Sequence, residues 1–182
     1  MSLSTASDYN LKWRGFAEPT DRFAALCDYV KTQGVKLILL TGTSSDKATF
    51  VNECLQKCPL LRVNLGIELS KRLLDVPQDD LGMAASDYLR LVGDDQPVLL
   101  ENIDILFDPG MDLDVLAALK HAARSRLLCA DWRGPASRLN RRLTYAPGDY
   151  LERHFPFGSE IIVLDESGYL FPEGLSKETR LT

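Results

Sequence analysis

Lys36-Leu-Ile-Leu-Leu-Thr-Gly-Thr-Ser-Ser-Asp-Lys-Ala-Thr-Phe50 is the stretch on which the reading of this chain turns. Leu37 to Thr41 is a short apolar run and predicts a central strand buried on both faces. A small polar loop follows, then a helix from about Asp46 to Lys57 that Pro59 ends. Strand, loop and helix start are the parts of a phosphate-binding loop, in which backbone N–H groups at a helix N-terminus surround an anion. The pattern G-x-x-x-x-G-K-[ST] is not met. Gly42 opens the loop as required. Read without a gap, Thr49 takes the hydroxyl position that holds magnesium, Ala48 stands in place of the lysine and Lys47 in place of the second glycine. Read with the loop one residue shorter, Lys47 becomes the phosphate lysine, Asp46 replaces the second glycine and Ala48 replaces the hydroxyl. In both registers Asp46 puts negative charge where phosphates would lie. The competing reading is an ordinary strand-to-helix turn capped by Thr43, Ser44 or Ser45.

Pro97-Val-Leu-Leu-Glu-Asn102 is a second apolar strand, and it ends in an acid. In phosphate-loop enzymes such a strand lies beside the loop, and its terminal acid organises magnesium and water. Glu101 holds that place. Asn102, next in line, can orient a water but cannot take its proton. Asp104 is a nearby substitute. The alternative is a strand end with solvated acids. A third strand ends in Cys129-Ala-Asp-Trp-Arg-Gly134. Ligands of open α/β sheets sit at the carboxyl ends of strands, so Asp131, Trp132 and Arg133 are expected to face the same crevice. There Arg133 can touch a phosphate and Trp132 can stack on a base, or both can simply close the rim.

The rest of the chain reads as alternating helices and strands. Helical spacing runs from Glu18 to Gln33, from Ile67 to Leu74, from Asp80 to Val92 and from Leu113 to Ala123. Strands are predicted at 60–65, 126–131, 142–145 and 161–165, and after the strand that ends at Glu101 the run Ile103 to Phe107 stays apolar up to the turn Asp108-Pro-Gly110. This alternation predicts an α/β domain with a mostly parallel sheet flanked by helices. The expected division is a lead-in over 1–17, one α/β domain over 18–165 and a tail over 166–182.

The chain has 182 residues and a formal net charge of -5, which argues against a generally basic nucleic-acid binder. The charge is uneven. Lys120, Arg124, Arg126, Arg133, Arg138, Arg141 and Arg142 lie in a stretch whose only acid is Asp131, whereas Asp75 to Asp114 is strongly acidic. Such a stretch can meet DNA phosphates, or it can be a solvated face. No apolar run approaches the roughly 20 residues that span a bilayer, and the N-terminus carries no secretory pattern, so a cytoplasmic location is expected. Cys54 and Cys58 share a helix face, but His121 and His154 lie far off in sequence, and Cys27, Cys54, Cys58 and Cys129 read as reduced thiols.

Three segments carry a resemblance. Leu65-Gly-Ile-Glu-Leu-Ser-Lys-Arg-Leu-Leu-Asp-Val-Pro77, Leu99-Leu-Glu-Asn-Ile-Asp-Ile-Leu-Phe-Asp-Pro109 and Arg142-Leu-Thr-Tyr-Ala-Pro-Gly148 resemble the BrxF family, small P-loop-containing proteins of type III BREX phage-defence systems. The likeness runs from about residue 20 to 150. It implies a P-loop NTPase-like (AAA-type) single domain. It implies a role in restricting phage beside a BrxC-like ATPase, a PglZ-like protein and a methyltransferase, with a homo-oligomer also open. Gly42 to Thr49 corresponds to the family's loop and Glu101 to its strand-end aspartate. The regular G-K-[ST] ending is absent, so the expected role is an assembly or regulatory module with a degenerate loop.

Two further readings stand beside that one. In a weak ATPase, ATP would sit on Gly42, Thr43, Ser44, Ser45, Lys47, Thr49 and Arg133, magnesium on Thr49 and Glu101, and catalysis on Glu101 and Asn102. In a DNA-contacting adaptor, the basic 120–142 stretch would carry the binding.

Overall fold

The computed structural model describes residues 19–42, 47–137, 139–146 and 152–165. The expected lead-in and tail, and Thr43, Ser44, Ser45 and Asp46 of the loop, lie outside them.

The described chain runs α1 (Pro19–Val30), β1 (Leu37–Thr41), α2 (Lys47–Lys57), β2 (Leu61–Asn64), α3 (Leu65–Leu73), α4 (Leu81–Leu91), β3 (Val98–Glu101), α5 (Val115–Ala122), β4 (Leu128–Asp131), β5 (Ala136–Ser137), β6 (Arg142–Tyr145), β7 (Arg153–Pro156) and β8 (Ile161–Asp165). A five-stranded sheet has the order β2-β3-β4-β1-β8, and every pairing in it is parallel. A separate antiparallel ribbon is formed by β5, β6 and β7. Among the described residues no helix is long and apolar enough to cross a membrane.

Period-two alternation sorts the apolar strand residues onto two cores. Leu37, Leu39, Val98, Leu100, Leu128, Ala130, Ile161 and Val163 face one side, where α3, α4 and α5 cover them through Leu65, Leu69, Ala85, Leu89, Val115 and Leu119. Ile38, Leu40, Leu99, Cys129, Ile162 and Leu164 face the other side, against Phe23, Leu26 and Val30 of α1 and Phe50, Val51 and Cys54 of α2. With both faces covered, these strands read as continuous apolar runs rather than alternating ones. Truncating one of these buried leucines to alanine costs about 2–5 kcal/mol by the usual cavity rule.

β4 lies between β3 and β1 in this order. Cys129 and Ala130 of β4 are small and fully buried, so that strand takes a central place. The apolar run Ile103 to Phe107 turns away from β3 as a helix. Asn102 adopts a left-handed conformation, φ 53 and ψ 51, which turns the chain into a short 3-10 helix over Ile103–Phe107. Asparagine tolerates that region better than most residues.

The order also positions a crevice. The chain leaves β1 for α2 on one face of the sheet, whereas α5 and the ribbon after β4 pack into the core on the other face. Connections that part to opposite faces at adjacent strands open a cleft at their carboxyl ends, and here those strands are β1 and β4.

Candidate functional site

A crevice of about 260 Å³ lies at those strand ends, lined by Gly42, Lys47, Ala48, Asn102, Ile103, Asp104, Asp131 and Arg133. It draws together three segments distant in sequence: the loop after β1, the turn after β3 and the end of β4. Of the expected site residues, Gly42, Lys47, Asn102 and Arg133 line it. Thr49 is exposed on α2, outside the lining, and Glu101 is also outside it. Ala48 lines the crevice beside Lys47.

Lys47 begins α2, and a cation in the first turn opposes the helix dipole unless an anion lies beside it. That anion is Asp131. The Lys47 ammonium lies 2.6 Å from Asp131 Oδ1, in a contact whose lysine side chain is only 13% exposed. Lys47 Nζ also donates to the Trp132 carbonyl. Both acceptors belong to the end of β4, the strand beside β1.

Gly42 and Gly134 close the floor. Their φ values are 144 and 135, a region that suits glycine. The Gly42 N–H donates to the Gly134 carbonyl at 3.1 Å, in an isolated antiparallel bridge. The first backbone donor of the loop is therefore spent inside the protein. A Cβ on Gly134 would lie 2.1 Å from the Thr144 carbonyl oxygen, so this position admits no side chain.

Arg133 Nη1 lies 3.1 Å from Asp104 Oδ2. The Tyr145 hydroxyl donates to Asp104 Oδ1 at 2.6 Å. Burial, and then that bond to a carboxylate, push the Tyr145 phenol well above its ordinary range. Tyr145 stacks on Phe107, with ring centroids 3.6 Å apart, within a cluster that includes Trp132 and Phe155. Trp132 is fully buried and donates its indole N–H to the Thr144 carbonyl at 2.8 Å. It closes the core and presents no face to a base. These contacts tie the ribbon to the crevice.

Glu101 is held from the other side. Arg62, on the edge strand β2, approaches it with two nitrogens, Nη2 to Oε1 at 2.5 Å and Nε to Oε2 at 3.2 Å, and binds Asn52 Oδ1 with Nη1 at 3.0 Å. Sequence reasoning passed over Arg62 and Tyr145. Arg62 lies one strand over from Glu101, since Asn64 and Glu101 are register partners across β2 and β3, and no sequence signal marks that pairing.

Three cations of the basic 120–142 stretch are held by partners. Lys120 pairs with Glu160 at 3.2 Å. Arg126 is buried and donates to the carbonyls of Leu89, Arg90 and Asp94. Arg133 is taken by Asp104, Arg138 lies outside the described residues, and Arg141 and Arg142 sit in and after the turn before β6. Among the described residues no group of three or more His, Cys, Asp or Glu is placed to hold a metal ion.

No family model, curated protein or solved structure matches this chain.

Proposed function

We propose that this protein is an assembly or regulatory module of a BREX-type phage-defence complex, a P-loop-like fold that works by docking to partners rather than by turning over nucleotide. The observation that carries the docking half is the Lys47–Asp131 pair: the lysine that a phosphate loop aims at its anion is already neutralised by the chain's own carboxylate. The fold half is supported by a glycine at the end of β1, a lysine at the start of α2 and an acid at the end of β3, within a parallel sheet. The defence assignment rests on the three segments that resemble BrxF. Its partners on that reading are a BrxC-like ATPase, a PglZ-like protein and a methyltransferase.

The described side chains do not fit ATP with magnesium. The crevice is lined by two cations and two carboxylates, and each cation is paired with a carboxylate. Two like charges about 4 Å apart repel by about 4 kcal/mol at an effective dielectric of 20, so Asp131 sets a high threshold for a phosphate beside Lys47. Ala48 offers no oxygen to a metal. Glu101 is clamped by Arg62, and the Gly42 N–H is spent on Gly134. At about 260 Å³ the crevice also falls just below the roughly 300–1,000 Å³ of ordinary small-molecule sites.

The test is phage plating on a host whose own copy carries Lys47→Ala, beside wild type and a deletion, with affinity copurification of the partners. Docking predicts that the variant protects like wild type and recovers the same partners, while the deletion loses protection. Loss of protection by Lys47→Ala with partners still bound would overturn it in favour of nucleotide use.

A further inference from the structure

We infer that Asp131 is a resident anion, a built-in stand-in for phosphate that holds Lys47 and keeps phosphate chains out of the crevice. The inference rests on the reading of the β1–α2 segment as a degenerate phosphate loop, and it names the residue that makes it so.

The geometry carries it in three steps. Lys47 lies in the first turn of α2, where the helix dipole disfavours a cation and favours an anion. The position next to Lys47 is where a phosphate oxygen would gain both the lysine charge and the helix end. Asp131 Oδ1 lies against the lysine there, 2.6 Å from Nζ, and the Trp132 carbonyl accepts a hydrogen bond from the same ammonium. An incoming phosphate oxygen must displace the carboxylate or share the lysine with it, and the two are of like charge.

The second cation repeats the arrangement. Arg133 lies against Asp104, which Tyr145 also holds. Among the described residues four charged side chains line the crevice, and they sum to zero: Lys47 and Arg133 against Asp104 and Asp131. Replacing Asp131 by its neutral isostere leaves that described lining net positive and frees the Lys47 ammonium for a phosphate oxygen.

The probe is inorganic pyrophosphate, titrated by calorimetry at fixed ionic strength into the full chain as wild type, Asp131→Asn, and Asp131→Asn with Lys47→Ala. Wild type is expected to bind weakly, Asp131→Asn tighter by about tenfold or more, and the double variant to fall back to the wild-type level. The urea midpoint of each variant checks that it folds, and Asp131→Ser takes the place of Asp131→Asn if that protein does not. Pyrophosphate binding to wild type as tight as to the variant would overturn the inference, as would a folded variant no tighter than wild type. Either failure leaves the docking role standing, because that role is read from protection and copurification by Lys47→Ala.

Discussion

Arg62 grips Glu101 with two nitrogens, at 2.5 and 3.2 Å, across the β2–β3 pair at the edge of the sheet. A carboxylate at the end of that strand is free to organise a metal only if its oxygens face the crevice. These face a guanidinium instead, and Asn52 Oδ1 fixes the guanidinium in turn. Bidentate pairing is the strong form of the Arg–carboxylate contact. The acid at the end of β3 is here part of a sheet-edge clasp.

Removing the clasp is therefore expected to change little in stability and nothing in chemistry. Arg62 is half exposed, and exposed pairs contribute about 0–1 kcal/mol. Arg62→Ala should shift the urea midpoint slightly, and the purified variant should release no phosphate from ATP, because Ala48 still supplies no metal ligand. Phosphate release above the rate of wild type would show that the clasp alone had silenced the site.

Arg126 behaves oppositely. Its side chain is 4% exposed, and its guanidinium donates to Leu89 O at 2.5 Å and to Arg90 O and Asp94 O at 2.9 Å. It thereby satisfies carbonyls at the C-terminal end of α4, where a helix leaves acceptors unpaired. Arg126→Met keeps the volume of the stem but orphans these acceptors, and should cost about 3 kcal/mol. Arg126→Lys should cost less, since the ammonium can still reach part of the set. Equal losses for the two variants, in chemical denaturation, would mean that the fork geometry is what counts.

Gly134 is the point where the ribbon passes closest to the strand ends. A methyl group there would meet the Thr144 carbonyl oxygen at 2.1 Å, and φ is 135. Gly134→Ala should destabilise the protein by several kcal/mol, on the order of the steepest backbone effects. It should also weaken the Trp132–Thr144 hydrogen bond, which intrinsic tryptophan fluorescence of the native state can follow. An unchanged melting temperature would mean that the ribbon can shift without loss.

Much of this arrangement was legible in the sequence, and the reason is local. Leu37–Thr41, Val98–Glu101, Leu128–Asp131 and Ile161–Asp165 are apolar runs because each is buried on both faces, so existence and type of strand followed from composition. Gly42, Asp131 and Arg133 were expected at one crevice because the ends of parallel strands share an edge, and they line it, whereas Glu101 and Trp132, expected there too, do not. What was not legible was pairing. Glu101 and Arg62 are separated by 39 residues, and Lys47 at the start of α2 meets Asp131 at the end of β4, so nothing in either local pattern reports the contact. β5 is two residues long and β7 reads Arg-His-Phe-Pro, so neither carries a strand-like apolar pattern; only tertiary packing of Tyr145 and Phe155 makes the ribbon.

The last prediction concerns alkaline pH. Burial pushes the Cys54 thiol up from 9.0 to about 12. A hydrogen bond with Cys129 raises Cys27, and one with Cys27 raises Cys58, both well above the usual thiol range. Burial raises Tyr145 from its ordinary 10.0 as well. Each of these groups is neutral when protonated and binds its proton more tightly in the folded protein than in the unfolded chain. Between the unfolded and folded values the native state therefore holds more protons, and stability falls as pH rises. The contribution is intact below about pH 9 and is lost progressively above it, starting with the thiols. Urea midpoints at pH 8.0, 9.5 and 10.5 (round values spanning the thiol and phenol ranges) should decline in that order, and Cys54→Ala should flatten the decline while lowering the midpoint at pH 8.0. A midpoint that holds steady across this range would mean that the thiols are solvated and that the α1–α2 core is looser than its packing around Phe23, Phe50 and Cys129 indicates.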